Sequence, residues 1–275
     1  MGIKTKIAYA DSSTNELRGC NGCELWTRQV KVCYAGRMIT RFAKAEHNRV
    51  WPEAFTKPIR VPGQIMKAIG WKDLTGTGRG PDKPWLKGYP RVVFVNDMSD
   101  SFMEHIWVDG TKEVLPVDWL SDLMPEMIAS PHIFMFLTKR ARRAVEFFGD
   151  IWGSVPANFW VGTTITSGTT LPRATTLAKL APICEGKLWL SVEPLYNDVR
   201  LVDHLPSFDW VVVGGESGPG ATKTELNDIA QVIEDCEQTS TDVFIKQLGD
   251  AHGPEKGEDW SKWPVDFRVR QMVKI

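Results

Sequence analysis

From residue 91 onward the chain alternates short apolar runs with longer polar or helical stretches. The runs are VVFVNDMSD (92–100), IFMFLTKR (133–140), FWVGTTIT (159–166), LWLSVEP (188–194), WVVVGGESG (210–218) and VFIKQLG (243–249). Each opens with β-branched or aromatic residues and closes on polar residues or glycine. Strands alternating with helices predict βαβ units and a parallel sheet. TKIAYA (5–10) reads as one further strand, bringing the count to about seven. The expected fold is α/β, a partial (β/α) TIM-type barrel of six to seven parallel strands, with a doubly wound sheet as the other arrangement.

The remaining segments read differently. Tyr34, Met38, Ile39 and Phe42 recur at helical spacing, which places Cys33 at a helix N-terminus. Residues 51–90 are rich in Pro, Gly and Trp and form an insertion, in which TGTGRGPDKPW (75–85) is an exposed loop, either a lid or an ordinary surface excursion. A single barrel domain over 1–275 is expected, with that insertion and a C-terminal extension near 250–275. No internal repeat or low-complexity tract interrupts it.

In parallel α/β folds, ligands bind at the carboxyl ends of the strands. Taken in order, the run ends supply Asn96, Asp97, Ser99 and Asp100; Thr138, Lys139 and Arg140; Thr163 and Thr164; Ser191 and Glu193; Gly214, Gly215, Glu216 and Ser217; Lys246 and Gln247. Any one of these can be a turn or helix cap. Lys139, Glu193, Glu216 and Lys246 are not capping types, so the set as a whole points to a polar ligand. Asp97, Asp100, Lys139 and Lys246 are the candidates for substrate contact or proton transfer. Gly214, Gly215 and Glu216, with Glu193 as a second carboxylate, are the candidates for binding a cofactor's amine or ribose. Pro194 ends its strand directly after Glu193. Arg140, Arg142 and Arg143 read as the solvated first turn of a helix, whereas Lys139 is kept as a ligand candidate.

Cysteine placement adds a second focus. Two residues separate Cys20 from Cys23 and nine separate Cys23 from Cys33, while Cys184 and Cys236 lie far off in sequence. With no His inside 19–38, a four-ligand zinc set is incomplete there. Three thiolates leave one coordination position open, which suits a catalytic metal or a [4Fe–4S] cluster with one free iron. Unligated small hydrophobes, or a disulfide with a spare thiol, are the plainer alternatives.

Charge and composition narrow the classes. The 275 residues carry a net charge of −1, with a pI near 6.5, so no global basic field marks a nucleic-acid protein. No apolar stretch reaches membrane-spanning length and the first residues show no apolar signal segment, so a cytoplasmic protein without membrane contact is expected. In that reducing compartment clustered cysteines are more often metal-binding or catalytic than bridged.

Taken together and in this order, TKIAYADSS, GC…CYAGRM, VVFVNDMSD, FLTKR, VGTTI, SVEPL, WVVVGGESGPGA and FIKQLG resemble a phage-associated three-cysteine protein family of unknown function, described as radical-SAM-like and found in phages, prophages and bacteria. The resemblance runs from about residue 4 to about residue 250. It implies a partial TIM barrel with a [4Fe–4S] cluster on Cys20, Cys23 and Cys33, and S-adenosylmethionine as the second cofactor. The implied enzyme makes a 5′-deoxyadenosyl radical for hydrogen abstraction, using an external electron donor and a small-molecule, nucleotide or nucleic-acid substrate. Two features depart from better-known radical S-adenosylmethionine enzymes: their cysteines follow C-x3-C-x2-C, and their GGE motif comes early in the barrel. A zinc-dependent barrel hydrolase or lyase and a non-catalytic, metal-stapled binding protein are the alternatives.

Overall fold

The computed structural model describes residues 4–43, 50–197, 199–252 and 260–275. Seven strands build one sheet: β1 (Ser12–Thr14), β2 (Val92–Val95), β3 (Ile133–Thr138), β4 (Phe159–Thr164), β5 (Lys187–Val192), β6 (Trp210–Gly214) and β7 (Asp242–Gln247). They lie side by side in chain order and every neighbouring pair is parallel. Among the described residues β1 and β7 do not pair with each other, so the sheet is a half-barrel. The six apolar runs all became strands.

Both faces of the sheet are covered, which is why those runs are apolar throughout. Of the helices, α1 (Tyr34–Phe42) follows the cysteine-rich segment, and on the outer face Val93, Phe134, Phe136, Val161, Leu190, Val211 and Ile245 share one core with α2 (Gln64–Ile69), α3 (Met124–Ala129), α4 (Ala141–Val145), α5 (Pro172–Leu177) and α6 (Leu226–Thr239). On the inner face Phe94, Met135, Trp160, Trp189, Trp210 and Phe244 form an aromatic floor over the N-terminal half of the strands. Gly162 is needed there, because a Cβ would come within 2.4 Å of the Trp189 indole. Above this floor the inner face turns polar.

The N-terminal strand differs from expectation. Residues 5–10 are not a strand; the strand is Ser12–Thr14. Ile7, Ala8, Tyr9 and Ala10 instead pack into the inner-face cluster. Their carbonyls are taken by side chains rather than by a ladder: Lys83 Nζ donates to Thr5 O and Ile7 O at 2.7 and 2.9 Å, and Trp85 Nε1 to Ala8 O at 2.9 Å. The 75–85 loop is no lid over the strand ends. Arg79 anchors it to Asp11 at 2.7 Å, just before β1 and at the opposite end of the sheet.

Of the C-terminal extension near 250–275, residues 253–259 lie outside the described residues. Residues 269–271 run antiparallel along the free edge of β7, with Ile245 N–H donating to Val269 O at 2.8 Å and Gln271 N–H to Val243 O at 3.0 Å. This segment blunts an edge that a closed barrel would have paired. Arg270 sits 4.4–5.3 Å from the ring centroids of Trp85, Phe244, Trp260 and Trp263, and burial pushes its guanidinium down to about 10.

Candidate functional site

The thiol loop begins directly after the short strand Leu17–Arg18, which pairs antiparallel with Ile59–Arg60. Gly19 takes φ +85°, and a Cβ there would stand 2.9 Å from both Phe55 O and Pro58 Cα, so only glycine fits. Its N–H donates to Met98 O and its carbonyl accepts from Ser99 Oγ, tying the loop to the end of β2. Cys20 is buried among Ala35, Ile39, Phe55 and Met98. The nine intervening residues double back, since Val32 N–H and Cys33 N–H both donate to Leu25 O at 3.1 Å. That fold-back sets Cys33 against Leu25, two residues after Cys23 in the chain. Cys33 then caps α1 (Tyr34–Phe42), as its sequence position predicts.

All five cysteines are free. Burial pushes the Cys20 thiol up to about 11 against the opposing charge of Arg140, and raises Cys23 against the charge of Lys139. The Cys23 thiolate adds to the rise at Cys20, and the Cys33 thiolate to the rise at Cys23. Among the described residues, no three His, Cys, Asp or Glu side chains stand in an arrangement able to grip a metal ion. The three thiols therefore share one loop without converging on one point.

Three arginines staple this loop across the carboxyl ends of the strands. Arg140, after β3, donates from Nη1 to Asp100 at 2.9 Å, from Nε to Glu104 at 3.0 Å and from Nη2 to Gly22 O at 3.1 Å and Cys20 Sγ at 3.6 Å. Arg173, at the start of α5, forms a two-toothed pair with Glu24 at 2.8 Å and reaches Thr164 O at 3.1 Å. Arg37 of α1 donates to Ser217 O at 3.2 Å, beyond β6, and lies 3.9 Å from Glu216. The expected solvated turn at Arg140 is thus corrected: its side chain is only 12% exposed, because two carboxylates draw it inward over the loop. Arg142 is exposed, while Arg143 donates to Leu115 O.

The strand-end candidates divide into separate groups. Glu193 and Lys246 pair at 3.2 Å on the inner face, with Ser191 Oγ at 3.3 Å and Tyr9 Oη at 3.5 Å donating to the other carboxylate oxygen. Burial first, then the Glu193 charge, holds the Tyr9 phenol well above its usual range, so it stays a neutral donor. The Lys246 ammonium approaches Glu193 Oε1 off the hydrogen-bonding direction, so Oε1 has an ion-pair partner but no hydrogen bond. Lys139 Nζ donates to Thr164 Oγ1 at 3.4 Å beside the thiol loop. Asp97 accepts from Asn15, and burial raises its carboxyl. Asp100 is fully engaged by Thr138, Lys139 N–H, Phe102 N–H and Arg140.

At the glycine-rich turn, Gly214 and Gly215 serve close packing. A Cβ on Gly214 would meet Glu193 Oε1 at 2.9 Å, and one on Gly215 would meet Leu248 O at 2.5 Å. The Gly215 N–H is committed to Gln247 O at 3.1 Å. Glu216 is buried; its Oε2 accepts from Thr222 N–H at 3.1 Å, while Oε1 has no hydrogen-bond partner. Tyr196 stands beside it, its phenol raised by burial and then by the Glu216 charge. Tyr9, Tyr196, Arg37 and Arg173 are the site residues that sequence patterning passes over, and Arg140 is one it names at a strand end but reads as solvated.

The arrangement offers a free-thiol loop, the cations Lys139 and Lys246, a buried carboxylate on Glu216 and a partly buried one on Glu193 at one end of a half-barrel. The chain matches the family described as "Protein of unknown function (DUF5131)" over residues 4–268, and it belongs to that family. No curated protein and no solved structure matches it.

Proposed function

We propose that this DUF5131 protein is a radical S-adenosylmethionine enzyme whose [4Fe–4S] cluster is held by Cys20, Cys23 and Cys33. The observation supporting this reading is that three free thiols, on one loop, are stapled across the carboxyl ends of the strands, the end where α/β folds do chemistry. The donor set fits the cluster in number and kind: three thiols, with the cations of Arg140 and Lys139 near Cys20 and Cys23. Loading must draw the three sulfurs together, since they do not converge as the loop stands. When bound to Cys20, Cys23 and Cys33, the cluster with its cofactor would supply one-electron, hydrogen-abstracting chemistry, the electron coming from an external donor.

The chain's own groups take the supporting roles. Glu216 Oε1, buried and without a hydrogen bond, accepts the cofactor's ammonium, with Glu193 as the alternative carboxylate. Lys139 and Lys246 meet anionic or carbonyl groups of the substrate. Asp97, held protonated more readily by burial, serves as a proton carrier. Asp100 acts through Arg140. A small-molecule or nucleotide substrate, an external electron donor, a phage setting and a cytoplasmic location belong to the same proposal.

Anaerobic loading with iron and sulfide tests it. The expected product is a brown protein with equal iron and acid-labile sulfide, which forms 5′-deoxyadenosine from S-adenosylmethionine on reduction. Cys20→Ala, Cys23→Ala or Cys33→Ala removes most of the iron; Cys184→Ala and Cys236→Ala do not. Stoichiometric zinc in place of iron rejects the reading in favour of a zinc-dependent hydrolase or lyase. Loss of iron in Cys184→Ala as complete as in Cys33→Ala rejects the ligand set.

A further inference from the structure

Among the described residues, Cys20 alone of the three thiols has a cation within hydrogen-bonding reach of its sulfur. Arg140 Nη2 stands 3.6 Å from Cys20 Sγ, and the same nitrogen donates to Asn21 Oδ1 and Gly22 O. The other two nitrogens of the fork are committed elsewhere, Nη1 to Asp100 and Nε to Glu104. Glu104 also accepts from Asn21 Nδ2 at 2.9 Å, which closes a ring of polar contacts around the Cys20–Gly22 turn. Arg140 is itself set by β3, since its N–H donates to Thr138 Oγ1 at 2.8 Å and that hydroxyl donates to Asp100 at 2.7 Å. A planar guanidinium can serve two carboxylates and the loop at once; an ammonium cannot.

We infer that Arg140 is the positioning residue of the thiol site: it fixes the Cys20–Gly22 turn and places one positive hydrogen-bond donor at the Cys20 sulfur. The loop-fixing part stands on the contacts alone, while the electrical part rests on the cluster reading above. Donors and positive charge at a ligating sulfur favour the reduced, more negative state and raise the reduction potential. Glu104 works against this, because its carboxylate offsets the charge of Arg140 from the outer side, where it is 40% exposed.

The test uses wild type, Arg140→Gln, Arg140→Lys and Glu104→Gln. In unloaded protein, amide hydrogen exchange over residues 20–24 should accelerate about tenfold in Arg140→Gln, with the sheet strands unchanged. In anaerobically loaded protein, a redox titration should show the cluster potential shifted negative in Arg140→Gln and positive in Glu104→Gln, with Arg140→Lys between wild type and Arg140→Gln. Opposite signs from two neighbouring variants are not what a general loosening produces. Should Arg140→Gln fail to fold, Glu104→Gln and Arg140→Lys carry the comparison. Wild-type exchange rates and an unmoved potential in the loaded variants overturn the inference. A wild type that takes up no iron overturns the cluster reading and the electrical part with it, and leaves the exchange measurement to decide the positioning role.

Discussion

Replacing Lys246 by Met tests whether the inner-face pair is a working ion pair. Methionine keeps most of the length of the side chain and removes the ammonium. Two charges 3.2 Å apart attract by about 5 kcal/mol at an effective dielectric near 20, before desolvation is subtracted. Breaking a fully buried pair costs about 3–5 kcal/mol, but Lys246 is 31% exposed and water screens it. The expected loss is therefore about 1–2 kcal/mol. Glu193 carries the cost: with the ammonium gone it keeps Ser191 and Tyr9 on Oε2 and nothing on Oε1. Urea unfolding at neutral pH, followed by tryptophan fluorescence, reads this directly, since Tyr9 packs edge-on against Trp189 and Trp210. Adding Glu193→Gln removes the stranded charge, so the double variant should recover most of the loss. A Lys246→Met protein as stable as wild type, or a double variant no better than the single one, refutes the reasoning.

Gly162→Ala should destabilise by about 1–3 kcal/mol, measured as a lowered urea midpoint, because the added methyl collides with the fully buried Trp189. His132 is buried, and burial, followed by the Arg91 charge, lowers its protonation range against the opposing backbone contacts of Trp71 and Ala68. The folded state therefore binds this proton less readily than the unfolded chain. Its contribution is present above the unfolded value of about 6.5 and is lost as pH falls below it, by at most about 1.4 kcal/mol per pH unit; His132→Phe should flatten that part of the pH–stability curve. Glu216→Gln should weaken S-adenosylmethionine binding by about 1.5–3 kcal/mol in calorimetry with iron content unchanged, and equal affinity assigns Glu216 to another role.

The strands from β2 to β7 were legible because burial on both faces leaves a continuous apolar run in the sequence. β1 was not, for the same reason inverted. Its three residues are Ser12, Ser13 and Thr14, and polar contacts hold it: Arg91 donates to Ser12 Oγ, and Thr14 Oγ1 donates to Gln64 O at 2.9 Å. The apolar TKIAYA stretch beside it looks more strand-like, yet its tyrosine fills the centre of the half-barrel instead. Apolar content reports burial, and in this segment burial and ladder formation fall on adjacent residues.

The three thiols could be read from spacing, and the carboxylates and lysines from strand ends. The links between them could not, because they join residues far apart in the chain. Arg140 belongs to a basic cluster that, along one helix turn, is a solvated face. Its partners Asp100 and Glu104 lie some forty residues earlier, and Cys20 lies 120 residues earlier. Arg173 finds Glu24 in the same manner, and Arg37 finds Ser217. Arg140 and Arg173 reach from the strand ends into the thiol loop, and Arg37 reaches from the helix after that loop out to the end of β6, so one long loop is held by partners that parallel strand order brings together. Fold and site are therefore not independent here. The parallel order of β2, β3, β4 and β6 places the anchors along one rim, and without that rim the cysteine spacing alone would not bring the thiol loop to the end of the sheet where Lys139, Glu193, Glu216 and Lys246 stand.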